Sequence, residues 1–141
     1  MNDLYETDIL AWSKEQAARL RRHAAADRSN DIDWPNVIEE IESVGNEQLH
    51  AVESLLLQSF LHTLKAEAWP VSRDAPHWRA EARLFRRQAR RRFAPSMRQR
   101  IDLAGLYADA LAGLPETIDG QPPLPVPAEC PVTLDALLGE E

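Results

Sequence analysis

The histidine best placed for chemistry in this sequence is His62, which lies near Ser59 and Gln48 at the border of one apolar helix face. A buried histidine needs hydrogen-bond partners, and Ser59 and Gln48 could supply them. On that interpretation His62 is structural. The alternative is a ligand-binding or proton-transfer role, because helical bundles build their sites from inward-facing side chains.

Acidic residues at the start of the same helix extend this candidate site. Glu40 and Glu42 flank the apolar face, whereas Glu39 points away from it. Pairing with the arginines of helix three is one interpretation. A divalent cation held by carboxylate oxygens is the other. We adopt the first and predict no metal and no cofactor. The candidate ligand or polar-core residues are His62, Ser59, Gln48, Glu40 and Glu42.

Two further patterns have structural interpretations. Glu47 and His50 have the Glu-x-x-His spacing of di-metal bundles, but the motif occurs once and both residues face water on a helical wheel. Cys130 is the single cysteine, which excludes an internal disulfide and a cysteine zinc cluster. No base lies near Cys130 in sequence, so we do not expect a catalytic thiolate.

Arginines form the second candidate site. Residues 73–101 contain ten arginines and two acids, between acidic segments on both sides, in a chain of net charge −7. Arginine binds phosphate through a planar fork. The segment is therefore either an exposed anion-binding stripe or a surface neutralised by acidic helices. The candidate anion-binding residues are Arg79, Arg83, Arg86, Arg87, Arg90 and Arg91.

Apolar periodicity predicts the helices that position these residues. A first helix runs from about Tyr5 to Ala26. A second begins at Asp33-Trp34-Pro35 and continues to about Ala68, a length of about 50 Å. Gly45 lies on its apolar face, where we expect a neighbouring helix to approach closely.

The second half of that helix is apolar on nearly every side. Such a helix must be buried all round. We expect it either to be the central helix of a bundle or to form a subunit interface, and we predict a homo-oligomer through Leu57, Leu61 and Leu64.

The remaining segments complete an all-α fold. A third helix follows Asp74-Ala75-Pro76, and a fourth carries Met97 to Leu111. Six prolines from Pro115 to Pro131 exclude a long helix after that. We predict a four-helix bundle with a long second helix, over residues 1–114. Residues 115–141 form a proline-rich tail ending in a short docked helix, within a single domain overall.

No segment has the length of apolar residues that a membrane span needs, and the acidic start does not resemble a signal peptide. We therefore expect no membrane association and a cytoplasmic location.

These features together resemble the uncharacterised bacterial family called domain of unknown function 29. The resemblance rests on Tyr5, Asp8 and Trp12, on the Asp33-Trp34 to Gly45 segment, on Leu61-His62 to Lys65, on Trp78 and on the tail from Pro127 to Leu138. Trp69 departs from the pattern, because it follows Lys65 by four residues. The resemblance implies an all-helical fold in the bacterial cytoplasm and implies no activity.

Three functional hypotheses remain. The first is a cytoplasmic interaction or regulatory module without catalysis of its own, which binds another macromolecule such as a protein partner. The second is a small helical enzyme, or a bundle that binds a metal or another ligand, centred on His62 and the acidic start of helix two. The third is a nucleic-acid binder through Arg79–Arg92; against it stand the acidic net charge and the absence of a recognition motif.

Overall fold

Helices form the regular structure of the protein, for which the computed structural model describes residues 3–139. In chain order they are α1 (Leu4–Thr7), α2 (Ile9–Ala26), α3 (Trp34–Ala68), α4 (Ala75–Arg92), a 3-10 helix (Pro95–Met97), α5 (Leu103–Ala112) and α6 (Leu134–Leu138). Over the described range there is no strand, only an isolated bridge between Ile118 and Gln121. The all-α prediction is confirmed, and the four-helix arrangement stays a prediction.

The described residues divide into two compact units. The first contains residues 3–50 and Phe93–Arg100, and the second contains Ala51–Arg92 and residues 101–139. The continuous helix α3 contributes its first half to one unit and its second half to the other. The predicted division at residue 114 and the single-domain organisation both stay predictions.

In the first unit, Asp8 interrupts the first predicted helix. Its backbone is not helical (φ −155°, ψ 84°), and its side chain caps α2 by accepting a hydrogen bond from the Ala11 N–H. One continuous helix from Tyr5 to Ala26 is therefore wrong. The same carboxylate accepts hydrogen bonds from Ser96, which is remote in sequence, and this contact favours the break.

Helices α2 and α3 approach each other at Gly45. A Cβ atom placed on Gly45 would lie 2.9 Å from the Leu10 Cα and would overlap the Ser13 Oγ. Ser13 is buried and its hydroxyl donates to the Leu10 carbonyl at 2.9 Å. The predicted close approach of a helix at Gly45 is confirmed.

The second unit packs around the apolar half of α3. Helix α3 buries Leu56, Phe60 and Leu64 there, and helix α4 buries Ala75, Ala82 and Ala89. Leu64 is only 2% exposed, so the chain itself covers one residue of the predicted subunit interface. Leu57 and Leu61 are half-buried, and the Leu61 side chain lies beside Gly113.

The fourth predicted helix begins later than expected. Pro95–Met97 forms a 3-10 helix, and α5 starts only at Leu103, where the Asp102 carboxylate accepts from the Gly105 N–H. A continuous helix from Met97 is therefore wrong, because Ser96 is bound to Asp8 and Asp102 provides the cap.

The tail is tied to the second unit by hydrogen bonds. Trp69 Nε1 donates to the Gln121 carbonyl at 2.9 Å, and the Tyr107 hydroxyl donates to the Pro127 carbonyl at 2.7 Å. Thr133 caps α6, and Leu137 and Leu138 are buried. Within residues 3–139, no helix is long and apolar enough to cross a membrane.

Candidate anion-binding groove

Four arginines of α4 share one side of the helix. Spacings of four, three and four residues place them within about 60° of one another, next to the buried alanine face. Arg86 is half-buried and the other three are exposed. We call this set the arginine stripe: Arg79, Arg83, Arg86 and Arg90.

The stripe lines a groove between α4 and the C-terminal half of α3. The α4 wall carries Arg79, Arg83 and Arg86, and the α3 wall carries Thr63 and Glu67. The groove has a volume of about 490 Å³, with Ala66, Pro70 and Ala82 as its apolar lining. Cationic, hydroxyl and apolar groups therefore meet in one open depression.

A second depression lies where α6 packs beside the same stripe. Arg83, Arg86 and Arg90 line it together with Arg87 and the segment Ala136–Gly139, and its volume is about 290 Å³. Gly139 ends α6 in a left-handed conformation (φ 72°), beside the Arg90 guanidinium. Arg83 and Arg86 belong to both depressions, so they are the centre of the stripe.

The arginine stripe forms no ion pair with the described residues of its own unit. Within residues 51–92 and 101–139 no carboxylate pairs with an α4 arginine, and the Glu81 carboxylate of α4 faces His77 Nε2 at 3.9 Å instead. The predicted pairing of Glu42 with these arginines is wrong, because Glu42 pairs with Arg21 of α2. Glu39 and Glu40 are exposed.

Arg91 and Arg92 lie on another side of α4. They line a separate depression with Gln88 and with Ala51, Ser54 and Leu55 of α3. These two arginines carry the same charge on the same helix but lie away from the stripe. Replacing them is therefore a matched control for replacing arginines of the stripe.

The structure does not join His62 to its predicted partners. His62 is half-buried, its Nδ1 shares a hydrogen bond with the Gln58 carbonyl at 2.8 Å, and its ring centroid lies 5.2 Å from that of Phe85. Ser59 Oγ has no hydrogen-bond partner among residues 3–139, and Gln48 belongs to the other unit. The expected bond between Ser59 and His62 is therefore wrong.

The other polar residues form no cation site among the described residues, since no group of three or more His, Cys, Asp or Glu converges within residues 3–139.

Two features were missed by sequence reasoning. Tyr107 lines a small cavity next to Ser59, and Asp8 joins two distant segments. Neither carries a local signal, because both depend on contacts between residues far apart in the sequence.

A family model described as Domain of unknown function DUF29 matches residues 4–141. The chain belongs to this family. A solved structure similar to this DUF29 chain is an alpha-helical protein of unknown function from Rhodospirillum rubrum, with a TM-score of 0.84 and 28% sequence identity over 100% of this chain and 92% of that one. A search of the curated proteins finds no match. These comparisons establish the family and support the all-helical fold, and they establish no function.

Proposed function

We propose that this DUF29 chain is a non-catalytic interaction module of the bacterial cytoplasm, and that its arginine stripe binds an acidic segment of a partner protein. The observation that carries the proposal is the line of four arginines beside a groove, with no ion pair from the described residues of their own unit. Carboxylates suit this surface because the guanidinium fork binds them through paired, charge-assisted hydrogen bonds.

The stripe has the length of a short peptide motif. Arg79 and Arg90 are eleven residues apart, which corresponds to about 16 Å along the helix axis. An extended segment of about five residues spans the same distance. An acidic segment of that length could meet the arginines while its apolar side chains contact Ala66, Ala82 and Leu137.

A protein segment is favoured over nucleic acid for two reasons. The described residues that line the two depressions include no aromatic residue on which a base could stack. A protein segment can also place an uncharged side chain opposite Glu67, whereas a nucleic-acid strand carries a negative phosphate at every nucleotide.

The test measures binding of a fluorescein-labelled decapeptide of alternating Glu and Ala by fluorescence anisotropy. The variant is Arg79→Glu with Arg83→Glu, and the matched control is Arg91→Glu with Arg92→Glu. We expect the stripe variant to weaken binding by at least about tenfold, while the control retains most of the affinity.

Single-stranded DNA of ten nucleotides is the competing ligand. Binding of DNA in preference to the peptide, with equal loss in both double variants, would move the function to nucleic-acid binding. Such binding would also weaken steeply with added salt.

A further inference from the structure

A small, partly open cavity lies between α3, α4, α5 and the tail in the second unit. Its volume is about 80 Å³. Polar groups of α3 enter it at every fourth residue, from Ser59, Thr63 and Glu67. Its remaining lining is Arg86 of α4, Tyr107 of α5 and the apolar side chains of Phe60, Leu64, Pro131, Val132 and Leu137.

Ser59 indicates that the cavity has an occupant. The residue is 1% exposed, and its hydroxyl finds no hydrogen-bond partner within residues 3–139. A buried hydroxyl without a partner is destabilising, and such groups in native proteins are generally bonded to a ligand or to ordered water. Tyr107, also in the lining, uses its hydroxyl to donate to the Pro127 carbonyl.

Two opposite charges line the same cavity without pairing. Glu67 lies on the α3 wall and Arg86 on the α4 wall, and no ion pair joins them in the structure. A ligand that carries both an ammonium and a carboxylate group would satisfy both residues, whereas a simple anion or a simple cation would leave one of them unmatched.

We propose that this cavity binds a small aminocarboxylate of the size of glycine or alanine. Its carboxylate meets Arg86 and the Ser59 hydroxyl, and its ammonium group meets Glu67. An apolar cavity of about 150 Å³ holds a benzene molecule, so about half that volume suits a ligand of roughly three to six heavy atoms. Leucine and larger amino acids are excluded by size.

The tail provides the cover of the site. Pro131 and Val132 lie between two anchored points, the Tyr107–Pro127 hydrogen bond and the start of α6 at Leu134. Both cover residues are exposed to solvent on their outer side. A ligand bound beside Pro131 and Val132 would make this segment of the tail more rigid.

The experiment titrates the full chain with glycine or L-alanine and follows backbone amide shifts by NMR. Acetate, methylamine and L-leucine serve as ligand controls at the same concentrations. We expect saturable shifts for glycine and alanine at residues 59–67, at Tyr107 and in the segment Val132–Leu137. Acetate and methylamine should bind at least about tenfold more weakly, because each leaves one charge unmatched.

Two variants locate the binding. Ser59→Ala removes the unpartnered hydroxyl and should fold, while Ser54→Ala changes an exposed serine of the same helix outside the cavity and is its control. Arg86→Gln is compared with Arg79→Gln, which lines the groove but not the cavity. Ser59→Ala and Arg86→Gln should weaken binding by about tenfold, and the two controls should not. If Arg86→Gln does not fold, Arg86→Lys replaces it.

Equal binding of acetate and alanine overturns the aminocarboxylate proposal. So does the absence of shifts with glycine and alanine up to 50 mM, which would mean that water partners Ser59. Undiminished binding in both Ser59→Ala and Arg86→Gln also overturns it. Because Arg79→Gln separates the groove from the cavity, failure of this inference leaves the proposed function independently testable.

Discussion

Ser96 donates two hydrogen bonds to Asp8, one from its hydroxyl at 2.6 Å and one from its backbone N–H at 2.8 Å, across 88 residues of sequence. The same carboxylate caps α2 through the Ala11 N–H. One buried acid therefore ends α1, begins α2 and fixes the 3-10 helix at Pro95–Met97.

This contact predicts a pH-dependent stability. Burial alone would raise the pKa of Asp8, but the hydrogen bonds from Ser96 and Ala11 outweigh it, so the pKa is lowered from its model-peptide value of 3.8. The stabilisation is thus present above about pH 4 and is lost as pH falls through the lowered pKa. Asp8→Asn should cost about 1–3 kcal/mol at pH 7, measured by urea unfolding.

The control for Asp8 is Asp119→Asn. Asp119 is exposed with φ 52°, a conformation that asparagine tolerates. The free energy of unfolding of this variant should therefore differ from wild type by less than about 0.5 kcal/mol. The difference in free energy of unfolding between wild type and Asp8→Asn should shrink on acidification. If that difference stays constant from pH 7 to pH 2, the charge of the Asp8 carboxylate does not contribute to stability.

Gly45→Ala should destabilise the first unit although alanine is the better helix former. Its Cβ would be 2.9 Å from the Leu10 Cα, a backbone atom that cannot move alone. We expect the free energy of unfolding, measured in guanidinium, to fall by about 2 kcal/mol or more. The cost of overpacking at this position exceeds the roughly 1 kcal/mol that alanine gains in helix propensity. Gly113→Ala meets only ordinary contacts at 3.5 Å and should be nearly neutral. Equal effects would contradict the close approach of α2 and α3.

Tyr107→Phe should loosen the tail. The variant removes the hydrogen bond to the Pro127 carbonyl and leaves the T-shaped contact with Phe60, at 5.3 Å between centroids, in place. We expect a loss of about 1 kcal/mol and faster amide hydrogen exchange in residues 126–132. Tyr5→Phe, at an exposed site, is the control. Unchanged exchange in the tail would mean that other contacts hold it.

The homo-oligomer also stays a prediction. Leu64 is covered by the chain, but Leu57 and Leu61 are only half-buried. Light scattering at micromolar concentration should give a mass above 15.9 kDa. Leu57→Ser should then lower the mass, and a wild-type mass of 15.9 kDa would rule the oligomer out.

Local patterns in the sequence were enough to find the long helix. Asp33-Trp34-Pro35 marked its start, the apolar periodicity predicted its end near Ala68, and Gly45 on the apolar face marked its close contact with another helix. The first and fourth helices were predicted less well. Their breaks depend on the pairing of Asp8 with Ser96, and no local pattern reports a contact across 88 residues.

The arginine residues of the candidate site were also predictable, since α4 shows them at helical spacing. The absence of an ion pair between them and a carboxylate of residues 3–139 was not predictable, because such pairing depends on how the chain folds. Ser59 was selected as a polar core residue, but its unpartnered hydroxyl and the cavity beside it arise from Tyr107 and the tail, which are distant in sequence.

The most direct test of the arginine stripe is quantitative capture of partners from native cells with three baits. They are the wild-type chain, the Arg79→Glu/Arg83→Glu variant and the Arg91→Glu/Arg92→Glu control, each with and without nuclease treatment. We expect the wild type and the control to recover the same proteins with acidic segments. The stripe variant should fail to recover them, and nuclease treatment should not remove them. The same set of proteins on all three baits, or partners that disappear with nuclease, would contradict the proposal.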